Sequence, residues 1–154
     1  MRIERLQLSD RYAAEELWSL QHSAYRIEAQ LIGVTDLPPL HDTIDTLRVS
    51  SDVVYGARDE SNELVGAVAV EEGERENTIS KLMVHPNAFR RGVGSRLLKH
   101  ALAAYPEEKT WLLTAEIRNK PAIALYEKAG FRAIDTLKPR EDITLLLMRL
   151  EESS

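Results

Sequence analysis

Two arginines and two glycines stand close together in VHPNAFRRGVGSRLLKHAL, residues 84–102, where Arg90 and Arg91 precede Gly92 and Gly94 and helix-forming residues follow without a break. Glycine carries no Cβ and accepts positive φ, so the main chain here can turn tightly and come close to a ligand. The helix that opens at this turn has first N–H groups with no partner inside the helix, and its dipole favours negative charge there. The chemistry implied is anion binding, with phosphate as the natural occupant. Arg96 and Lys99 add positive charge nearby, although on a helix surface such residues are ordinarily just solvated.

The elements that would position this turn follow from periodicity. MRIERLQ alternates apolar and charged residues and predicts a strand, and Ser9 or Asp10 can then cap a helix. Ala13, Leu17, Leu20, Ala24, Ile27 and Leu31 recur in steps of four and three, which predicts one apolar stripe on an amphipathic helix ending near Gly33. Pro38 and Pro39 make VTDLPPLHDT a loop, and DTIDTLRVSS predicts a short second helix. DVVYGAR and ELVGAVAVEE read as a hairpin across DESN, and TISKLMVH as a third strand that stops at Pro86, just before the glycine turn. TWLLTAEI reads as a buried strand. NKPAIALYEKAGF reads as a helix with Asn119 near its cap, Pro121 in its first turn and Gly130 past its end. FRAIDTLK and DITLLLMRL supply the last strands. The alternation predicts an α/β layer fold with one mixed sheet, a single domain over residues 1–150 and a polar tail over 151–154.

Composition narrows the function. The 154 residues, 44% hydrophobic and 29% charged, suit one globular core. With no cysteine there is no disulfide, thiolate nucleophile or cysteine-ligated metal, so a cytoplasmic location is the default and no metal is expected. The N-terminus begins with alternating charge and no segment approaches bilayer length, so no membrane partner is expected. A net charge of −5 argues against general nucleic-acid affinity.

Spacing separates the candidate phosphate sites. A P-loop needs Lys-Ser or Lys-Thr after its second glycine, whereas Gly92 is followed by Val93 and Gly94. A dinucleotide fingerprint wants a third glycine where Leu97 stands and an acidic residue where Leu112 stands. The remaining pattern resembles the GNAT superfamily of acyl-CoA N-acyltransferases. VHPNAFRRGVGSRLL is similar to its motif A, a strand, then Gln/Arg-x-x-Gly-x-Gly/Ala, then a helix. NKPAIALYEKAGF is similar to its following motif of Asn, Tyr and Gly-Phe. The two stand in the right order about 25 residues apart, and the resemblance extends over roughly residues 1–150.

The resemblance implies a mixed, mostly antiparallel sheet of about 6–7 strands with about 4 helices. It also implies acetyl-CoA as co-substrate. The N–H groups of Arg91, Gly92, Val93, Gly94 and Ser95, with Arg90 beside them, would hold the pyrophosphate. The main chain of Leu82, Met83 and Val84 would pair with the pantetheine arm, and one N–H near Met83 or Val84 would face the thioester oxygen as an oxyanion donor. Asn119 matches a cofactor-side asparagine as well as a helix cap, and Tyr126 matches a tyrosine that lies near the sulfur and can act as general acid. Phe131 is expected in the core. Phe89 departs from the pattern, standing where the family has a polar residue; it is expected to pack beneath the loop, with Arg90 and Arg91 supplying charge.

The base is the second departure. Many relatives carry a glutamate on the motif A strand, whereas this strand offers Thr78, Ser80 and Lys81. Glu71, at the end of the neighbouring strand, and His85 are the candidates, Glu71 with Glu72 beside it and His85 because imidazole suits proton transfer near neutral pH. Tyr25 and Glu28, three apart on one helix face, are the candidate acceptor wall. The expected reaction is direct attack of a primary amine on acetyl-CoA in a ternary complex, since no cysteine is present to carry an acyl group. The acceptor is a small molecule or peptide, and the protein a monomer or homodimer. A non-catalytic acyl-CoA-binding regulatory module is the alternative, favoured by the missing strand glutamate, and a nucleotide-binding regulatory domain stands behind it.

Overall fold

The computed structural model describes residues 1–151, so the predicted tail lies, beyond Glu151, outside the described residues. Seven strands form one sheet in the order β1-β2-β3-β4-β5-β7-β6. They are β1 (Arg2–Arg5), β2 (Val53–Arg58), β3 (Leu64–Glu71), β4 (Glu76–Val84), β5 (Thr110–Glu116), β6 (Phe131–Arg140) and β7 (Ile143–Leu150). Four α-helices among the described residues accompany them: α1 (Arg11–Ile32), α2 (Ile44–Val49), α3 (Val93–Ala103) and α4 (Lys120–Lys128). Every neighbouring pair is antiparallel except β4 with β5. This is the mixed sheet that the alternation predicts, mostly antiparallel and with four helices as the resemblance implies.

Local chemistry sets the boundaries. Asp10 caps α1, its carboxylate accepting from the Tyr12 N–H, and Gly33 ends the helix at φ 79° in the left-handed region. Thr43 and Thr46 form a reciprocal capping box on α2. Along β3, Val68 and Val70 pack with Leu97, Leu98 and Ala101 of α3, while Ala67 and Ala69 pack with Leu17 and Leu20 of α1 and Leu47 of α2. Both faces of the strand are therefore buried, which explains its unbroken apolar run. Gly66 brings α3 close to the sheet: a Cβ there would stand 2.8 Å from Val93 and 2.9 Å from Leu97.

The buried stripe of α1 is rotated from the predicted one. It runs through Ala14, Leu17, Leu20, Gln21, Ala29 and Ile32, whereas Leu31 is 53% exposed. The reason is a polar interaction that periodicity does not detect. Gln21 is fully buried, and its amide donates to Pro39 O at 2.8 Å and Asp42 Oδ2 at 2.7 Å, tying the helix to the loop after it.

Candidate functional site

The turn before α3 is built by backbone conformation. Arg90 (φ 67°) and Gly92 (φ 73°) both lie in the left-handed region, which is costly for arginine and easy for glycine. Among the described residues no side chain caps α3, and the first helical acceptor is Gly92 O, which takes the Arg96 N–H at 3.1 Å. The N–H groups of Val93, Gly94 and Ser95 are thus the open donors of a helix N-terminus, with the dipole's positive end behind them. Among the described residues a Cβ on Gly92 would meet no atom within 4 Å, so the space beside it is open.

Strand β4 leads into this turn and parts from its parallel neighbour on the way. Only Glu76–Ile79 pair with Thr110–Leu113. At that point β4 carries an extra residue against β3: Ala69 opposes Lys81 and Val70 opposes Ile79, which leaves Ser80 as a bulge. A bulge bends and twists its strand, and the rest of β4 runs on without pairing to β5. Across from β3, His85 N donates to Val65 O at 2.8 Å. Alternation along an antiparallel ladder then assigns the Met83 and Lys81 amides to β3 and turns those of Leu82 and Val84 toward the gap. Of the two amides considered as oxyanion donor, only Val84 N–H points there.

Two cavities meet in this gap. One, of about 610 Å³, runs from Arg90, Gly92, Val93, Gly94 and Ser95 past Phe89, Met83, Val84 and Asn119. The other, of about 380 Å³, lies toward Lys81, Glu116, Arg140 and the loop at Leu37, Pro38 and Pro39. Tyr25, Glu28, Leu82, Ala122 and Tyr126 line both. A larger cavity of about 910 Å³, at the Trp111 end of β5, is bordered by none of the candidate residues, so size alone does not locate the site.

At the junction α1 meets α4. Asn119 Oδ1 accepts the Ala122 N–H at 3.3 Å, capping α4, and its Nδ2 donates to Glu28 Oε1 at 2.5 Å. Burial pushes the Glu28 carboxyl up and the charge of Glu116 adds to this, while the Asn119 bond opposes it. Tyr126 is 8% exposed and edge-on to Phe131, which is fully buried in the core as predicted. Burial, then the charge of Glu28, raise the Tyr126 phenol far above its ordinary range, so it keeps its proton. Burial likewise raises the Tyr25 phenol, with Glu28 and Tyr126 adding to the effect and the Leu82 main chain opposing it.

The structure gathers Tyr25, Glu28, Leu82, Met83, Val84, Arg90, Gly92, Val93, Gly94, Ser95, Asn119 and Tyr126 around one cleft. Arg91 is exposed beside it and does not line it. Phe89 is 48% exposed on the cleft wall rather than packed beneath the loop, because Ala88 takes the buried position. Glu71 and His85 are not brought to the cleft. Glu71 is exposed at the far end of β3 opposite Thr78, and the His85 Nδ1 accepts from Asn87 N at 3.1 Å in the turn after β4.

Three features escape sequence reasoning. Lys81, on the strand that offers no carboxylate, is held by Asp42 at 2.7 Å and Gln21 at 3.3 Å, partners that lie far from it in sequence. Arg140 reaches the cavity wall from β6 while bound to Asp142 at 2.9 Å. Glu116 at the end of β5 is bound by Arg118 through Nε and Nη2, both at 2.9 Å, and by the Arg118 and Thr144 amides at 2.8 Å. The Arg118 side chain, then those amides, outweigh burial and hold Glu116 at about 2. A Glu two residues before an Arg is the only signal the sequence carries for it.

Among the described residues no group of three or more His, Asp or Glu is placed to hold a metal ion, and no helix is long and apolar enough to cross a membrane. The family described as acetyltransferase (GNAT) domain matches residues 50–133, more than half of the chain. UPF0157 protein YqkA of Bacillus subtilis (strain 168) is 33% identical over 149 residues, 96% of this chain and 43% of that protein. Peptidyl-lysine N-acetyltransferase YiaC of Escherichia coli (strain K12) is 31% identical over 77 residues, 50% of this chain and 49% of that protein. Each match thus spans less than half the relative's length. Among solved structures, the ribosomal-protein-S18-alanine N-acetyltransferase from Escherichia coli superposes with TM-score 0.76 at 19% identity, over 97% of this chain and 92% of that one. The PaiA N-acetyltransferase from Thermoplasma acidophilum, in complex with coenzyme A, gives 0.75 at 17% identity over 99% and 100%. A spermidine N-acetyltransferase SpeG chimera from Vibrio cholerae and hSSAT gives 0.72 at 16% identity over 97% and 95%. These likenesses carry the fold, and with the family match over residues 50–133 they agree with the glycine turn and the parted strands: the chain belongs to the GNAT acetyltransferase family.

Proposed function

We propose that this chain transfers an acetyl group from acetyl-CoA to a primary amine by direct attack in a ternary complex. The observation that carries the reading is the meeting of the two cavities at Tyr126, one led in from an anion cradle and the other walled by side chains. The cradle fits a pyrophosphate: its donors are open, and the space a Cβ on Gly92 would fill is clear. Val93, Gly94 and Ser95 bind the phosphates through N–H groups, with Arg90 beside them. The Leu82 and Val84 main chain, unpaired toward β5, offers strand-like hydrogen bonds to the pantetheine arm.

When bound, acetyl-CoA supplies a thioester carbonyl that an amine can attack. Val84 N–H is positioned to donate to the oxygen that gains charge, and Tyr126 holds the proton a departing thiolate requires. The cleft orients the two reactants, and expulsion of water by Tyr25, Leu82 and Ala122 strengthens these polar contacts. The acceptor panel follows the relatives' names: a lysyl peptide, an alanine-terminated peptide and spermidine. In the test, acetyl-CoA raises the melting temperature and one of these amines drives CoA release. Absence of any thermal shift refutes the reading. A shift without turnover of any amine favours the regulatory module instead, for which the observation is that β4 presents Lys81 rather than a carboxylate to the gap.

A further inference from the structure

We propose that Glu28, from the first helix, takes the proton from the acceptor amine at the point where the two cavities meet. The inference rests on the N-acetyltransferase reading and assigns the base that reading lacks. Of the five residues that line both cavities, Glu28 is the only one with a carboxylate. Its orientation is fixed from the opposite wall. The Asn119 carbonyl is committed to Ala122 N, so the amide's NH₂ must face Glu28 Oε1, and Oε2 has no hydrogen-bond partner among the described residues. Asn119 and Tyr126 stand seven residues apart, two turns of α4, so one helix holds both the partner of Glu28 and the phenol.

The groups around Glu28 leave it available. Tyr25 stays protonated on the same helix, as does Tyr126 on α4. Lys81 of β4 is met by Asp42, Arg140 of β6 by Asp142, and Glu116 of β5 by Arg118; Arg90 lies along the cradle wall. Among the described residues no cation is bound to Glu28, and burial favours its protonated form, so it accepts a proton more readily than an exposed glutamate. Glu116, held at about 2, is too weak a base, and Glu71 and His85 do not reach the cleft. Glu28 and Tyr126 thus form a pair in which one group accepts a proton and the other gives one.

The step balances. An acceptor arriving as an ammonium ion first loses a proton through Glu28 to solvent. As the C–N bond forms, Glu28 Oε2 takes the second proton from nitrogen; as the C–S bond breaks, Tyr126 gives its phenolic proton to sulfur. Return of the Glu28 proton to the Tyr126 oxygen, directly or through water, restores both groups. The products are the amide and the free thiol.

The test compares wild type with Glu28→Gln, whose amide oxygen can still accept from Asn119. With the amine found by the panel, kcat should fall about 10²- to 10⁴-fold, the acetyl-CoA thermal shift should persist, and the acceptor KM should move only a few-fold. The wild-type kcat/KM should decline toward acid as Glu28 protonates, and E28Q should lack that limb. Unchanged kcat, or a raised KM with the acid limb retained, overturns the assignment, the latter leaving Glu28 as a docking group. If E28Q shows no cooperative melting, Glu28→Ala with added formate replaces it: restored turnover supports the assignment and its absence overturns it. A wild type that binds acetyl-CoA yet acetylates no amine overturns the transferase reading and the base together. That result is distinct from an active wild type matched by E28Q, which overturns Glu28 alone.

Discussion

The turn before α3 presents open main-chain N–H groups from consecutive residues, whereas the other side of the cleft, the acceptor side in the proposed reaction, is walled by side chains from α1, β4, β5, α4 and β6. The two regions should therefore fail in different ways. A main-chain cradle depends on φ, ψ and clearance and is indifferent to most side chains, so the half-exposed Phe89 beside it does not alter its N–H groups. The acceptor side depends on the identity of single atoms, so isosteric changes that leave packing intact should still alter its chemistry.

Tyr126→Phe is the sharpest of these. The ring, edge-on to Phe131 with centroids 6.3 Å apart, is retained, and only the phenolic proton is removed. kcat should fall about 10²- to 10⁴-fold, somewhat less where water substitutes, while acetyl-CoA affinity measured by calorimetry stays near wild type. A variant that turns over normally would make Tyr126 a packing residue and erase the contrast.

Gly92→Val probes the cradle in the opposite manner. No atom of the described residues lies within 4 Å of the added Cβ, so the main effect on folding is that of holding a β-branched residue at φ 73°, about 1–2 kcal/mol. The ligand side suffers more, because the new side chain occupies the space a phosphate would approach through. At acetyl-CoA concentrations near 100 times the wild-type Kd the stabilisation of about 2.7 kcal/mol should vanish. A folded variant with an undiminished thermal shift would show that the anion binds elsewhere.

The same contrast explains what the sequence made legible. Glycine spacing before a helix is a local pattern with a local cause, so the tight turn and open helix N-terminus at Gly92 to Ser95 are legible without a structure. Asn119 as the cap of α4, with Tyr126 two turns on along the same helix, is legible for the same reason. The Glu28–Asn119 bond joins residues 91 apart, and nothing local to either reports the other. The rotation of α1 was hidden because Gln21 is buried by bonds to Pro39 and Asp42, and periodicity weighs only apolar residues. Glu71 and His85 were attractive for their residue types, but the bulge at Ser80 and the turn at Pro86 determine which groups face the gap, and those depend on pairing between strands.

Two glutamates within the side-chain region give a further test, since burial and bonding act on them in opposite directions. Glu116, held at about 2 against its ordinary 4.5, contributes stability that is complete above pH 4.5 and is lost as pH falls through about 2. Glu116→Gln should cost about 1.5–3 kcal/mol near neutral pH and flatten that acid decline in urea-unfolding midpoints. Glu28 has the opposite sign. Its raised pKa means the folded state gains as the carboxyl protonates, so E28Q should not lose stability at neutral pH in the way E116Q does. Equal losses from the two substitutions would contradict the arrangement of charges described for this cavity.

Asn119→Ser carries the smallest stability effect and separates the two bonds that Asn119 makes. A serine hydroxyl can still accept the Ala122 N–H, so the cap on α4 survives, whereas Asn119→Ala removes it at a cost of about 0.5–2 kcal/mol. Serine cannot replace the Nδ2 donor to Glu28. That bond favours the ionised carboxylate, and without it the Glu28 pKa should rise further above its ordinary value. The acid limb of kcat/KM should therefore move to higher pH in N119S, with kcat reduced as Glu28 loses its fixed orientation and acetyl-CoA affinity preserved because both polar atoms of Asn119 are already engaged within the protein. A loss of acetyl-CoA affinity with the limb unmoved would instead make Asn119 a cofactor contact, and would place the boundary between the two regions on the other side of that residue.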